Sequence, residues 1–84
     1  MNTNPIPDIQ VPLHAHVERA VQQYFDELEG EEIGNMYDFF LAELERPLLI
    51  ATLKYARGNQ SKTAQLLGLN RGTLRTKLKT HGLL

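Results

Sequence analysis

Between Met36 and Ala56 the apolar residues Met36, Tyr37, Phe39, Phe40, Leu41, Leu44, Leu48, Leu49, Ile50, Leu53 and Tyr55 fall on most sides of a helix rather than along one stripe. A helix that is apolar around most of its circumference is buried around most of it. With 84 residues the chain has little material to provide that cover, and a second copy of itself is the available source. At this length one core supplies only about 3–5 kcal/mol unless something else helps. The absence of cysteine excludes disulfides, and three histidines (His14, His16, His81) argue against a structural zinc site of the usual Cys/His kind. Oligomerisation is what remains.

Residues 1–12 carry Pro5, Pro7 and Pro12, and proline removes backbone donors while fixing φ, so this segment reads as a short flexible arm. From Leu13 the apolar residues Val17, Ala20, Val21, Tyr24, Phe25 and Leu28 follow the i, i+3, i+4, i+7 spacing of one helix face. That helix should end near Glu29-Gly30. Asn35 is placed to cap the second helix, which is expected to run to about Ala56. Pro47 lies inside it and should kink it, the alternative being two helices broken at Arg46. Two short helices, about Gln60 to Leu67 and Arg71 to Thr80, complete the chain, with Asn59 and Asn70 as their caps. Ala64, Leu66 and Leu67 should turn inward from the first, Leu74 and Leu78 from the second. No run reads as a strand. The expected fold class is all-α, a single domain of three parts: the arm (1–12), dimerisation helices (13–56) and a helix-turn-helix (57–84).

The formal net charge of −1 conceals a division. Residues 1–45 hold one base, Arg19, and all ten acids, a balance of −9; residues 46–84 hold eight bases and no acid, a balance of +8. Such asymmetry points one half of the chain toward nucleic acid or another anionic surface. The longest apolar stretch, Pro47 to Ala51, falls far short of the roughly 20 residues of a membrane span, and the N-terminus has neither the basic nor the apolar region of a signal peptide. A cytoplasmic protein is the expectation.

Two helices joined by a turn of about three residues containing glycine make a helix-turn-helix. Ala64 is small where the helices should cross, Gly68 permits the turn, and Leu69 plugs it. Asn70, Arg71, Thr73, Arg75, Thr76, Lys77, Lys79 and Thr80 are left facing solvent. Arg71, at the first helical position, is placed to donate two hydrogen bonds to guanine O6 and N7. The lysines and arginines beyond it would meet phosphates, as would exposed N–H groups at the helix N-termini. A basic helix can also be only a solvated face, but a merely soluble surface mixes both signs, and none of the acids lies beyond Glu45. Asn59 and Asn70 serve as caps whether or not they also touch DNA.

Catalytic chemistry finds no constellation. His14 and His16, two residues apart, do not face one another on a helix, and Glu27, Glu29, Glu31 and Glu32 lack the ligand spacing of a calcium loop. No metal or cofactor is expected. The aromatic residues Tyr24, Phe25, Tyr37, Phe39 and Phe40 lie in the acidic half, where they suit a core or an interface rather than base stacking.

The runs Glu45-Arg46-Pro47-Leu48-Leu49, Gly58-Asn59-Gln60-Ser61-Lys62-Thr63-Ala64 and Leu67-Gly68-Leu69-Asn70-Arg71-Gly72-Thr73-Leu74-Arg75, with Val21-Gln22-Gln23-Tyr24-Phe25 upstream, resemble the Fis family of bacterial nucleoid proteins. The resemblance spans roughly residues 12–84. It implies an intertwined homodimer of four-helix subunits with Val17, Val21, Tyr24, Phe25, Phe39, Phe40, Leu44 and Leu48 in the interface. It further implies that double-stranded DNA bends to meet two closely spaced recognition helices. Arg71 falls on the family's guanine-reading arginine and Asn70 on its base-edge asparagine. Asn59, Ser61, Thr73, Arg75, Lys77 and Lys79 fall on backbone-contacting positions, and Lys62 and Thr76 complete the candidate surface. Thr76 and Thr80 stand where the best-known members have lysines, implying weaker affinity and a shallower salt dependence. The arm before Leu13 is too short for the family's recombinase-touching hairpin, so recombination stimulation is not carried over. Global transcriptional regulation and nucleoid organisation are, with RNA polymerase as a further candidate partner. Two alternatives stand beside this reading: the C-terminal domain of an NtrC-type enhancer-binding activator, and a helical protein-interaction module with a basic tail.

Overall fold

The computed structural model describes residues 12–31 and 34–84. Four helices make up the fold: α1 (Leu13–Leu28), α2 (Met36–Tyr55), α3 (Gln60–Leu67) and α4 (Arg71–Thr80). No strand occurs among the described residues, so the all-α expectation holds. The arm, and with it the matter of a recombinase-touching segment, lies outside the described residues apart from Pro12.

The chain divides into two compact units, residues 1–34 and 35–84. In the first, α1 begins where Ala15 N–H donates to Pro12 C=O at 3.0 Å. It ends with Glu29 and Gly30 both at positive φ. None of its residues is buried, and its apolar stripe includes the exposed Leu13, Val17 and Phe25.

In the second unit α2 passes through Pro47 as one helix, so the break at Arg46 does not occur. Asn35 precedes α2, but its side chain makes no capping hydrogen bond; at φ −133° and ψ 35° its backbone is outside the extended region from which a cap side chain reaches the N2 and N3 amides. Leu49 from α2, Ala64 from α3, and Leu74 and Leu78 from α4 form the buried core, with Leu53, Leu67, Leu69 and Leu83 packed around it. Leu66 does not join them: it is 50% exposed, and the inward positions of α3 are Thr63 and Ala64, with Leu67 half-buried. Thr63 is wholly buried, its hydroxyl donating to Asn59 C=O at 2.8 Å. A polar residue therefore occupies the face on which Leu66 was expected, at no cost in unsatisfied groups.

Turn chemistry sets the spacing of the last three helices. Gly68, at φ +72°, closes α3 with its own N–H on Gln65 C=O (3.2 Å), while Leu69 N–H reaches Ala64 C=O (2.9 Å). This paired pattern is the Schellman motif, and it brings Leu69 back onto the core. The same pairing recurs at the end of α4, from Gly82 and Leu83, and at the end of α2, where Arg57 takes the positive-φ position.

Candidate nucleic-acid interface

Asn59 and Asn70 cap α3 and α4. Asn59 Oδ1 accepts from Lys62 N–H at 3.0 Å and Asn70 Oδ1 accepts from Gly72 N–H at 2.7 Å. Both bonds occupy only the amide oxygen, so the two Nδ2 donors of each asparagine stay available to a nucleic-acid acceptor. Glycine suits position 72, because a Cβ there would stand 3.2 Å from Asn70 Oδ1.

Asn70, Arg71, Thr73, Arg75, Thr76 and Lys79 are all exposed along α4, and Asn59, Ser61 and Lys62 are exposed at the start of α3. The two groups are tied together by Arg75, whose Nη1 donates to Gln60 Oε1 at 3.2 Å. Thr76 and Thr80 spend their hydroxyl protons on their own helix, donating to Gly72 C=O (3.0 Å) and Thr76 C=O (2.9 Å). Their oxygens can still accept, but neither supplies a cation.

Lys77 is placed differently from the rest of the basic set. It is only half-exposed, and its Nζ lies 2.7 Å from Glu45 Oε2 on α2. The other oxygen of the same carboxylate meets His81 Nε2 at 2.9 Å, and Arg46 donates to the His81 carbonyl. The hydrogen bonds from Lys77 and then His81 hold the Glu45 carboxyl below the usual carboxylate range. A recess of about 270 Å³ opens beside the pair, lined also by Leu48, Leu49, Leu67 and Leu69. Sequence reasoning placed Lys77 with the solvent-facing cations. The signal that separates it is its position three residues beyond Leu74 and one before Leu78, on the inward stripe that continues to His81. Among the described residues no carboxylate pairs with Lys62, Arg71, Arg75 or Lys79.

A buried apolar core, two short helices across a glycine turn and an exposed, acid-free second helix define a helix-turn-helix protein of the nucleic-acid-binding kind. Residues 40–81 match the bacterial regulatory protein, Fis family. Over 74 residues, 88% of this chain and 76% of theirs, it is 47% identical to the proteins named "DNA-binding protein Fis" of Proteus mirabilis (strain HI4320) and Sodalis glossinidius (strain morsitans). It is 46% identical over the same length to that of Escherichia coli O1:K1 / APEC. The chain belongs to the Fis family.

Proposed function

We propose that this chain is a homodimeric DNA-binding and DNA-bending protein, acting as a global transcriptional regulator and architectural factor of the bacterial nucleoid in the cytoplasm. The observation that carries the reading is the exposed basic face of α4, bound to the α3 N-terminus through Arg75 and Gln60 and free of acidic side chains from Arg46 onward. Arg71 reads guanine from the N-terminus of α4 and Asn70 reaches a neighbouring base edge. Asn59, Ser61, Lys62, Thr73, Arg75, Thr76 and Lys79 hold the phosphates on either side.

Dimerisation is supported by the apolar surface that one copy leaves uncovered. Val17, Phe25, Phe39, Leu44 and Leu48 are exposed, and Val21, Tyr24 and Phe40 are half-buried. Large apolar groups exposed in such number mark an interaction surface. A second copy also supplies the second recognition helix that bending requires. RNA polymerase is a further partner consistent with regulation.

The test is a circular-permutation mobility assay on a duplex selected by the protein from random sequence, with sedimentation of the free protein alongside. Position-dependent mobility and a dimer mass are expected. Unbent complexes, or a monomer at all concentrations, would contradict the reading.

A further inference from the structure

Glu45 is the last acidic residue in the chain, and everything after it is basic or neutral. Its carboxylate is also the anchor for the C-terminal half of α4. One oxygen takes Lys77 Nζ at 2.7 Å and the other takes His81 Nε2 at 2.9 Å. A carboxylate only accepts, so the imidazole carries its proton on Nε2. The neighbouring Arg46 donates to the His81 carbonyl, adding a third tie between the same stretch of α2 and the end of α4.

The Lys77 side chain is 34% exposed, that of Glu45 22% and that of His81 8%, and the adjoining recess is walled by leucines. A charge pair in such a setting is screened less than one in open water. Lys77 therefore has its charge balanced and its position fixed before any DNA arrives, unlike the exposed Arg71, Arg75 and Lys79 on the same helix.

We propose that Glu45 is a positioning residue for DNA binding: it holds Lys77 and His81 to α2, removes Lys77 from the cations that neutralise phosphate, and sets the angle at which α4 leaves the core. The basic face that meets DNA is then narrower than the residue types suggest, and its counterion release is smaller by one cation. This rests on the reading of α4 as the DNA-contacting helix.

The test is the slope of log K against log salt for a mixed-sequence duplex, since each phosphate neutralised contributes about 0.9. Lys79→Met, as a check on the underlying reading, flattens the slope by about that amount; if it does not, α4 is not the contacting helix and the failure belongs there. Lys77→Met leaves the wild-type slope unchanged. Glu45→Gln keeps hydrogen-bonding atoms but removes the charge, and steepens the slope by about 0.9. The double variant Glu45→Gln/Lys77→Met returns it to the wild-type value. A flattened slope in Lys77→Met alone overturns the proposal and needs no second variant, so it stands even if Glu45→Gln fails to fold. Equal steepening by Glu45→Gln with and without Lys77 overturns it too, because the effect would then be bulk charge.

Discussion

Arg75 of α4 donates to the side-chain oxygen of Gln60 at the head of α3, 3.2 Å away, so the two helices of the helix-turn-helix are joined across their exposed side as well as through the leucines beneath. The bond leaves the guanidinium charge unneutralised. Arg75→Ala is expected to weaken binding about equally on all sequences and to flatten the salt slope by about 0.9. Gln60→Ala removes the tether without removing charge and should leave the slope where it is. Fluorescence anisotropy titrations across a salt series distinguish the two.

Leu74 and Leu78 are fully buried where α4 meets α2 and α3. Truncating either to alanine should cost about 2–5 kcal/mol, a transfer loss plus the cavity left behind. Leu66→Ala, on the exposed side of α3, should change stability by less than about 0.5 kcal/mol. Urea denaturation measures both, and comparable losses at positions 66 and 74 would show that the core is misassigned.

The turn between α3 and α4 has its own energetics. A Cβ on residue 68 meets nothing within 4 Å, so Gly68→Ala is penalised by its positive φ alone, about 1–2 kcal/mol. Asn70→Ala loses the cap to Gly72 and should cost about 1 kcal/mol. Arg57 holds a left-handed φ of 54° without being glycine, and Arg57→Gly relieves that conformation and should raise the thermal midpoint. A fall in midpoint for Arg57→Gly would contradict this.

The pH dependence of stability follows from Glu45. Lys77 first and His81 second hold its carboxyl below the usual range in the folded chain, so its contribution is present above the unfolded value, about 4.3 for a free glutamate. It is lost as pH falls from there through the lower folded value. Denaturation midpoints followed down through that window should decline, and Glu45→Gln should remove this part of the decline. An identical acid profile in the variant would assign it to other carboxylates.

Much of this fold is written locally. The ends of α3 and α4 are set by Asn59, Gly68, Asn70 and Gly82, each acting on amides or carbonyls within a few residues, and local rules read such signals well. Leu66 is a different matter. Its outward position reflects an inward face of α3 centred on Thr63, Ala64 and Leu67, and a threonine can serve there because its hydroxyl finds Asn59 C=O; residue type alone favours leucine for that place. Asn35 has the composition of a cap but not the backbone conformation for one. Lys77 carries the largest consequence for the site. Its partner Glu45 stands 32 positions away in sequence, and only the packing of α4 on α2 brings them together. The exposed cations, by contrast, were visible because residues 46–84 contain no acid to pair with them.

Arg71 stands at the head of α4, exposed beside a glycine that leaves its neighbour Asn70 free to cap the helix. The decisive measurement is the affinity of wild type and Arg71→Ala for a duplex selected from random sequence, each also measured with 7-deazaguanine at the contacted position. Arg71→Ala should lose about 1–3 kcal/mol, keep its dimer mass, and become indifferent to the modified base. Unchanged affinity and unchanged discrimination in Arg71→Ala would contradict the assignment of α4 as the helix that reads DNA.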